Sequence, residues 1–219
     1  MTMSQKNLVP WVLKPLVFLA CLGPLGHLIW RGFTDNLTAN PISEITLETG
    51  TWTLRFLCIT LGVTPLRRLA RWNDAIKFRR MLGLFAFFYG TLHFTTYFWL
   101  DQFFDFSNIA KDIWKRPFIT VGFAAFVGIL PLALTSTDGW IRRLGGKAWR
   151  RLHRLIYVSA ICGVVHYWWL VKADVQRPQN YAIIVGSLLA YRLVVMYRRR
   201  LPKPAVQRPV PADLLRRTS

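Results

Sequence analysis

WRRLHRLIYVSAICGVVHYWWLV (residues 149–171) is the stretch around which the rest of the chain can be organised. It begins with arginines and continues as an apolar run of about 20 residues, the length that a helix needs to cross a bilayer. His153 and His166 lie within it, and on one straight helix they would be roughly 20 Å apart along the axis. Because a histidine inside an apolar span is costly without a partner, the two predict a function, such as a relay between the membrane faces.

The composition is that of a membrane protein. The chain has 219 residues, of which 53% are hydrophobic, and its net charge is +19. Every basic cluster lies at the end of an apolar run, which argues for membrane topology and against a nucleic-acid partner. The three cysteines are far apart and form no C-x-x-C pair, so neither a disulfide framework nor an iron–sulfur cluster is expected.

Six apolar segments approach the length of a spanning helix. They are residues 15–30, 49–66, 81–100, 118–135, 152–171 and 181–197. The sequence therefore predicts an all-α membrane protein, a six-helix bundle within residues 1–200, followed by a mobile cytoplasmic tail at 201–219. A cleaved signal peptide is the alternative for the first segment, but that segment has no small-residue cleavage site, which favours a retained helix.

The loops between these segments differ in charge. Those around residues 67–80 and 142–154, together with the tail, hold most of the Lys and Arg. The loops at 31–48, 101–117 and 172–180 hold fewer basic residues and most of the acidic ones. By the positive-inside rule, both termini are cytoplasmic and these three loops face outwards.

Two histidines are predicted to face each other. His93 is the thirteenth residue of the third segment and His166 the fifteenth of the fifth, and both segments run outwards. At one depth on parallel helices, two imidazoles can bind a planar metallocofactor such as haem from its two sides. An isolated metal ion would need three or four ligands, and the outer half offers no such cluster.

The inner end of the same two segments is not symmetric. A counterpart of His153 on the third segment falls on Arg79 or Arg80, and helical phase places Arg79 on the face of His93. An arginine is an unsuitable iron ligand but a good partner for a haem propionate or a phosphate. On an ideal helix His153 and His166 do not share a face, so either the helix is distorted or their sites lie on different sides.

Structural roles are open for the same residues. A membrane histidine is often only a hydrogen-bonding group between helices, and His153 could be a plain interfacial residue. His27 is expected at the interface, with a haem-propionate contact as the alternative. Arg55 and Arg192 are expected to snorkel or to be paired, and either could contact a quinone or a cofactor carboxylate.

Three stretches carry a family resemblance: LGVTPLRR (61–68), FRRMLGLFAFFYGTLHFTTYFWLD (78–101) and LTSTDGWIRRLGGKAWRRLHRLIYVSAICGVVHYWW (134–169). Over roughly residues 10–200 the chain resembles the haem-binding membrane subunits of bacterial periplasmic protein-methionine-sulfoxide reductase systems. These subunits belong to the ferric-reductase-like transmembrane superfamily. The resemblance implies a six-helix bundle in the bacterial inner membrane, with haem b between the third and fifth helices.

The resemblance also implies the site residues. His93, His153 and His166 match three of the four histidine positions of the superfamily, and Arg79 stands at the fourth. The ligands of an inner haem, and whether one haem or two are bound, are therefore open. The aspartates of the outer loops, Asp101, Asp105 and Asp112, are expected to steer a partner protein electrostatically.

The electron donor and acceptor implied by the resemblance lie outside this chain. The sequence has no G-x-G-x-x-G unit for a nicotinamide or flavin domain, so electrons are expected from another molecule, and the resemblance implies membrane quinol as the donor. FMN, or a separate cytosolic flavin reductase, is also associated with the family. The implied acceptor is a periplasmic molybdopterin-dependent methionine-sulfoxide reductase, for which this chain would be the electron-transfer subunit. The alternatives are a stand-alone ferric or quinone reductase and a non-redox membrane protein.

Overall fold

The computed structural model describes residues 9–171 and 173–200, so the predicted tail at 201–219 lies outside it. The described residues form helices, turns and loops, and no strand occurs among them. The helices are α1 (Lys14–Phe33), α2 (Pro41–Leu69), α3 (Arg79–Thr95), α4 (Phe106–Lys115), α5 (Pro117–Leu134), α6 (Asp138–Leu152), α7 (Leu155–Leu170) and α8 (Gln176–Arg200). The prediction of an all-helical chain is confirmed for this part of the protein.

Each of the six predicted apolar segments lies on a separate long helix: α1, α2, α3, α5, α7 or α8. Three stretches are both long and apolar enough to cross a membrane, namely Trp11–Phe33, Pro117–Leu134 and Gln176–Arg198, and α7 is a shorter apolar helix. A turn of π-helix, Thr96–Asp101, extends α3 to the end of its apolar segment. That all six helices cross the bilayer remains a prediction.

Two predicted loops contain helices of their own. The region 101–117 includes α4, and the basic region before His153 includes α6. Each begins at a side-chain cap: Asp105 accepts a hydrogen bond from the Asn108 N–H at 3.0 Å, and Thr137 accepts one from the Trp140 N–H at 3.3 Å. A cap satisfies an N–H group that a helix start otherwise leaves unpaired, which is why these short polar stretches become helical.

The predicted fifth segment is not one helix from residue 152 to 171. α6 ends at Leu152, α7 begins at Leu155, and His153 and Arg154 form the turn between them. The His153 N–H still donates to the Trp149 carbonyl at 3.0 Å, while the Arg154 N–H reaches only back to Arg151 at 3.1 Å. The tighter bond ends the regular ladder. Of the two explanations for the mismatched faces of His153 and His166, the structure shows the broken helix.

The bundle consists of two closely packed helix pairs, α2 with α3 and α5 with α7. In the first pair Leu61 of α2 is completely buried, and in the second Ala160 of α7 is. At the α5–α7 contact Gly128 faces the hydroxyl of Ser159 so closely that a Cβ there would overlap it. Small residues at such a crossing allow two backbones to approach, as is typical of membrane helices.

A buried tyrosine attaches α1 to the bundle. The Tyr89 hydroxyl of α3 donates to the Cys21 carbonyl at 2.9 Å and accepts from the Leu25 N–H at 3.1 Å. These two backbone groups bond to each other in a regular helix, and Pro24 interrupts the same turn because proline has no N–H. Tyr89 therefore holds α1 at its proline-weakened turn.

Candidate metallocofactor site

The structure brings His93 and His166 together. Their ring centroids are 6.0 Å apart, and the ring planes are inclined at 74°. Two metal–nitrogen bonds of about 2 Å, added to the two ring radii, would separate the centroids of opposed imidazole ligands by about 6 Å. The distance between the rings thus fits one metal centre bound from both sides, as the depth comparison predicts.

The two rings are oriented by equivalent hydrogen bonds. Nδ1 of His93 lies 2.8 Å from the carbonyl oxygen of Thr46, and Nδ1 of His166 lies 2.7 Å from that of Phe118. Because a carbonyl can only accept, Nδ1 carries the proton in each ring and Nε2 keeps its lone pair. This is the arrangement of metal-binding histidines, which usually donate their other N–H to a carbonyl or carboxylate.

A glycine stands one helical turn after each of these carbonyls. A Cβ added to Gly50 would lie 2.9 Å from Nδ1 of His93, and one added to Gly122 would lie 2.6 Å from Nδ1 of His166. Neither contact is tolerable. Each ring therefore occupies the space that the side chain of any residue other than glycine would fill at position 50 or 122. We call the pair of carbonyl and glycine, Thr46 with Gly50 and Phe118 with Gly122, a carbonyl–glycine seat.

The surroundings suit a large planar cofactor better than a bare ion. Phe94 stacks on Phe126 with 4.9 Å between ring centroids, and Phe87 stacks on the other side of Phe126 at 5.9 Å. Phe118 itself lies 6.2 Å from the His166 ring. Within residues 9–171 and 173–200 no three His, Cys, Asp or Glu side chains converge on a common point, which leaves a cofactor with its own ligands as the fitting group.

The inner histidine has a different environment. The ring of His153 stacks on Trp149, with centroids 3.8 Å apart, and its Nδ1 lies 3.1 Å from the Trp149 carbonyl. Its Nε2 is buried and makes no well-aligned hydrogen bond among the described residues, although the Leu132 carbonyl lies close to the ring. An imidazole nitrogen left buried without a partner is costly, and metal coordination or a ligand hydrogen bond would satisfy it.

The two candidate arginines of the third segment point in different directions. Arg79 is partly buried and lies close enough to His153 and Arg192 for their charges to interact. Arg80 is exposed and forms an ion pair with Asp138 at 2.8 Å. Of the two arginines, Arg79 is therefore the one that lies beside His153.

Arg192 belongs to the same inner region, together with a tyrosine that the sequence did not single out. Arg192 donates to the Tyr157 hydroxyl at 2.7 Å, to the Leu61 carbonyl at 3.0 Å and to the Thr64 hydroxyl at 3.1 Å. None of the ion pairs formed by the described residues includes Arg79 or Arg192. Two cations without a carboxylate partner favour an anionic group, such as a propionate or phosphate, at this end.

His27 and Arg55 lie apart from both histidine sites. They line a cleft between α1 and α2, together with Glu48 and Trp52. The Arg55 guanidinium lies 4.4 Å above the Trp52 ring, and its Nε donates to the Tyr181 hydroxyl at 3.2 Å. Arg55 is thus held by contacts inside the bundle rather than extended towards the membrane surface.

Sequence reasoning missed the glycines and carbonyls of the two seats. Gly50 and Gly122 lie in apolar segments at the depth of the histidines, and small residues in membrane spans usually mark close contacts. That signal was available but could not assign either glycine to a particular histidine. The carbonyl partners carry no signal, because every residue has one.

Comparisons with known proteins identify the family. The sequence profile described as "Ferric reductase like transmembrane component" matches residues 46–164. Proteins named "Protein-methionine-sulfoxide reductase heme-binding subunit MsrQ" are similar over nearly the whole chain. The one from Herminiimonas arsenicoxydans is 54% identical over 86% of this chain and 88% of its own length. The one from Azospira oryzae is 52% identical over 90% and 85%.

The match is equally broad in Xanthomonas euvesicatoria, whose protein of the same name is 47% identical over 89% of this chain and 95% of its own. No solved structure matches the chain. The family profile covers most of α2 to most of α7, and so includes both carbonyl–glycine seats and His93, and it ends two residues before His166. The resemblance seen in the sequence is confirmed: the chain belongs to the ferric-reductase-like transmembrane family, among relatives named as MsrQ heme-binding subunits.

Proposed function

We propose that this protein is the membrane electron-transfer subunit of a methionine-sulfoxide reductase system, with haem b bound between His93 and His166. One observation carries the proposal: two imidazoles 6.0 Å apart, each with its Nδ1 against a helix carbonyl. A pair of neutral histidines whose Nε2 atoms are free is suited to axial ligation of haem iron. The names of the relatives, which are heme-binding subunits, agree with this assignment.

In this function the chain binds and orients the cofactor. Haem supplies one-electron transfer when bound, and the protein determines its ligation, polarity and exposure. The Thr46 and Phe118 carbonyls fix the proton on each Nδ1, which makes each Nε2 a better donor to a metal. The stacked phenylalanines, Phe94 and Phe126, exclude water from this side of the bundle.

The inner site is proposed to hold an anionic cofactor near His153. Arg79 and Arg192 supply two positive charges, and the buried Nε2 of His153 makes no well-aligned hydrogen bond among the described residues. A second haem, with His153 as one ligand and its propionates near the arginines, would use all three groups. The phosphate of FMN is the alternative anion. A second haem would add iron to the protein, whereas FMN would not.

Electrons are proposed to pass from membrane quinol to a periplasmic molybdopterin-dependent methionine-sulfoxide reductase. A histidine pair near the predicted outer end supports delivery to an outer partner. A cytosolic flavin reductase would instead deliver electrons at the inner end, close to His153. In either case the protein would lie in the bacterial inner membrane, with both termini cytoplasmic, as its charge distribution predicts.

The proposed docking surface is the outer region 101–117. Its aspartates differ in how far contacts within this chain already engage their carboxylates. Asp105 caps α4, and Asp112 pairs with Arg116 at 3.2 Å and accepts a hydrogen bond from the Tyr97 hydroxyl at 3.3 Å. Asp101 is exposed and contacts the neighbouring Gln102. Of the three, Asp101 is therefore the residue that we propose for steering a partner.

Haem content of three alanine variants tests the assignment. We expect His93→Ala and His166→Ala to lose nearly all of the haem that the pair binds, measured per mole of purified protein. His153→Ala should lose none of it if the inner site holds FMN, and about half of the total if a second haem is bound there. Full haem retention in both His93→Ala and His166→Ala would refute the proposal.

A reduced-minus-oxidised spectrum separates the proposal from a non-redox protein, and the preferred electron acceptor separates it from a stand-alone reductase. A non-redox protein gives no haem signal at all. A stand-alone ferric or quinone reductase contains haem but reduces small acceptors with no partner present. The proposed subunit should pass electrons to the periplasmic reductase much faster than to ferric chelates.

A further inference from the structure

The cleft between α1 and α2 is lined by ionisable groups that the haem site does not use. Its volume is about 440 Å³, and one side is open. Its lining includes Gly23 and His27 of α1 and Glu48, Trp52 and Arg55 of α2. A carboxylate, an imidazole and guanidinium groups thus converge on one cleft at the predicted outer end of two apolar helices, which makes it a candidate ligand site.

The way α1 is held leaves this cleft open. Tyr89 binds α1 to α3 at Cys21 and Leu25, the turn that contains Pro24. α1 is thereby attached to α3 and not packed tightly along α2. A ligand that moves within the bilayer can enter between the two helices from the open side.

The spacing of the polar groups fits a molecule with oxygens at its two ends. Glu48, Trp52 and Arg55 follow one face of α2, and Glu48 and Arg55 are about 10 Å apart along the helix axis. An aromatic ring against Trp52 would have a carboxylate towards one end and a guanidinium towards the other. We propose that the cleft binds and oxidises a para-hydroquinone with a lipophilic tail, which rests on the proposed function.

The oxidation needs proton acceptors, and the cleft provides two. A hydroquinone that becomes a quinone loses two electrons and two protons as both O–H bonds break. Glu48 and His27 accept the protons, and haem bound between His93 and His166 would supply the electron acceptor, taking the two electrons in two one-electron transfers. Arg55 donates hydrogen bonds to a carbonyl oxygen of the quinone product. A charged donor forms a stronger hydrogen bond to this oxygen than a neutral donor does.

The cleft lies across a single helix from the haem ligands. Glu48 and Trp52 flank Gly50 in the sequence of α2, and Gly50 contacts His93 on the opposite face of that helix. An α-helix with its side chains is about 10–12 Å in diameter. An electron released in the cleft therefore has only the width of α2 to cross.

Two glycines of α1 give a matched pair of variants. At both Gly23 and Gly26 a Cβ would have no atom within 4 Å, so a side chain can begin at either position without a clash. Gly23 lines the cleft, and Gly26 does not contribute to its lining. Gly23→Leu should fill the cleft, whereas Gly26→Leu adds the same side chain elsewhere on the helix.

The binding experiment uses an azidoquinone photolabel on purified full-length protein with its cofactors bound. We expect label on peptides that contain Glu48 or His27, and about tenfold weaker labelling of Gly23→Leu. Gly26→Leu should be labelled like the wild type. Label at another place, equal labelling of both variants, or displacement by phospholipid but not by a short-chain hydroquinone would overturn the cleft as a hydroquinone site.

The kinetic experiment uses haem-loaded protein and a short-chain hydroquinone in stopped flow. Glu48→Gln should slow haem reduction on the order of 100-fold, because a proton acceptor is lost, while dithionite still reduces all the haem. Asp35→Asn is the control, since it removes one charge from the adjoining loop at a positive φ of 51° that asparagine tolerates. If Glu48→Gln reduces its haem at the wild-type rate, the cleft is not the site of hydroquinone oxidation, but the proposed function still stands. No reduction of wild-type haem overturns both the quinol donor and the cleft.

Discussion

At the residue scale, the two facing histidines are defined less by their own positions than by what lies beside them. His93 and His166 each contact a carbonyl and a glycine of a neighbouring helix. His153 has no such seat and instead stacks on Trp149. Because of this difference, His153 should not be expected to bind a cofactor as well as His93 and His166, although the sequence offers all three as ligands.

The seats predict the effect of adding one methyl group. Gly122→Ala should displace the His166 ring, since the added Cβ would lie 2.6 Å from Nδ1, and Gly50→Ala should displace His93 less severely at 2.9 Å. Loss of such a supporting contact typically costs on the order of 10–100-fold in metal affinity. We therefore expect lower haem content and a shifted reduction potential in both variants, measured on purified protein.

Gly62→Ala is the matched control, because a Cβ there would meet nothing within 4 Å. It removes a glycine from the same helix as Gly50 and should retain full haem content. If Gly122→Ala binds haem with wild-type affinity and potential, the close approach of His166 to α5 is not required for the site.

At the element scale, the attachment of α1 depends on one hydroxyl. In Tyr89→Phe the Cys21 carbonyl and the Leu25 N–H lose their buried partner beside Pro24. A lost hydrogen bond of this kind costs about 1 kcal/mol. We expect a lower unfolding midpoint in detergent and weaker labelling of the cleft, because α1 is free to move.

Tyr191→Phe, on α8, serves as the control for hydroxyl loss and should leave both measurements unchanged. Unaltered stability and labelling in Tyr89→Phe would mean that ring packing, such as the edge contact of Phe18 on α1 with Phe85 on α3 at 5.2 Å, holds α1 without the hydroxyl.

The loop between α1 and α2 is held by an acid whose ionisation matters. The Thr38 N–H donates to the Glu44 carboxylate at 2.6 Å, and Arg31 forms an ion pair with it. The hydrogen bond from Thr38, together with Arg31, lowers the pKa of Glu44 from its ordinary value. A carboxylate with a lowered pKa stabilises the fold above its unfolded pKa of about 4.3, and the effect is lost as pH falls through the folded pKa.

Glu44→Gln should therefore unfold at a lower temperature than the wild type at pH 7. The difference should shrink as pH falls below the unfolded pKa of about 4.3 and disappear once pH has passed through the lower folded pKa, where the wild-type carboxyl is protonated as well. Thermal unfolding of both proteins in the same detergent at the two pH values measures this. A difference that persists unchanged in acid would show that Glu44 acts through shape rather than charge.

At the scale of the whole molecule, the charge distribution predicts which end faces the periplasm. Ser107 on α4 is exposed at the predicted outer end, and Lys147 on α6 is exposed at the predicted inner end. In intact cells a membrane-impermeant maleimide should label Ser107→Cys but not Lys147→Cys, with wild type as the control for the native cysteines. Labelling of Lys147→Cys alone would invert the proposed orientation, and with it the direction of electron transfer.

Much of the fold could be predicted because its signals are local. Each apolar segment became a helix, and the similar depths of His93 and His166 followed from counting along two parallel segments. The prediction was wrong where a helix ended without a local breaker. The turn at His153 and Arg154 contains neither glycine nor proline, and it depends on the stacking of His153 on Trp149.

The sequence alone determined that this is a basic, helical membrane protein with two histidines at one depth, because hydropathy, charge and spacing are properties of neighbouring residues. Tertiary structure decided which nitrogen of each histidine is free, since the Thr46 and Phe118 carbonyls lie 47 and 48 residues away from the rings that contact them. It also decided that Glu48 and His27 share a cleft. Contacts between distant residues depend on how helices pack, and no local pattern records that packing.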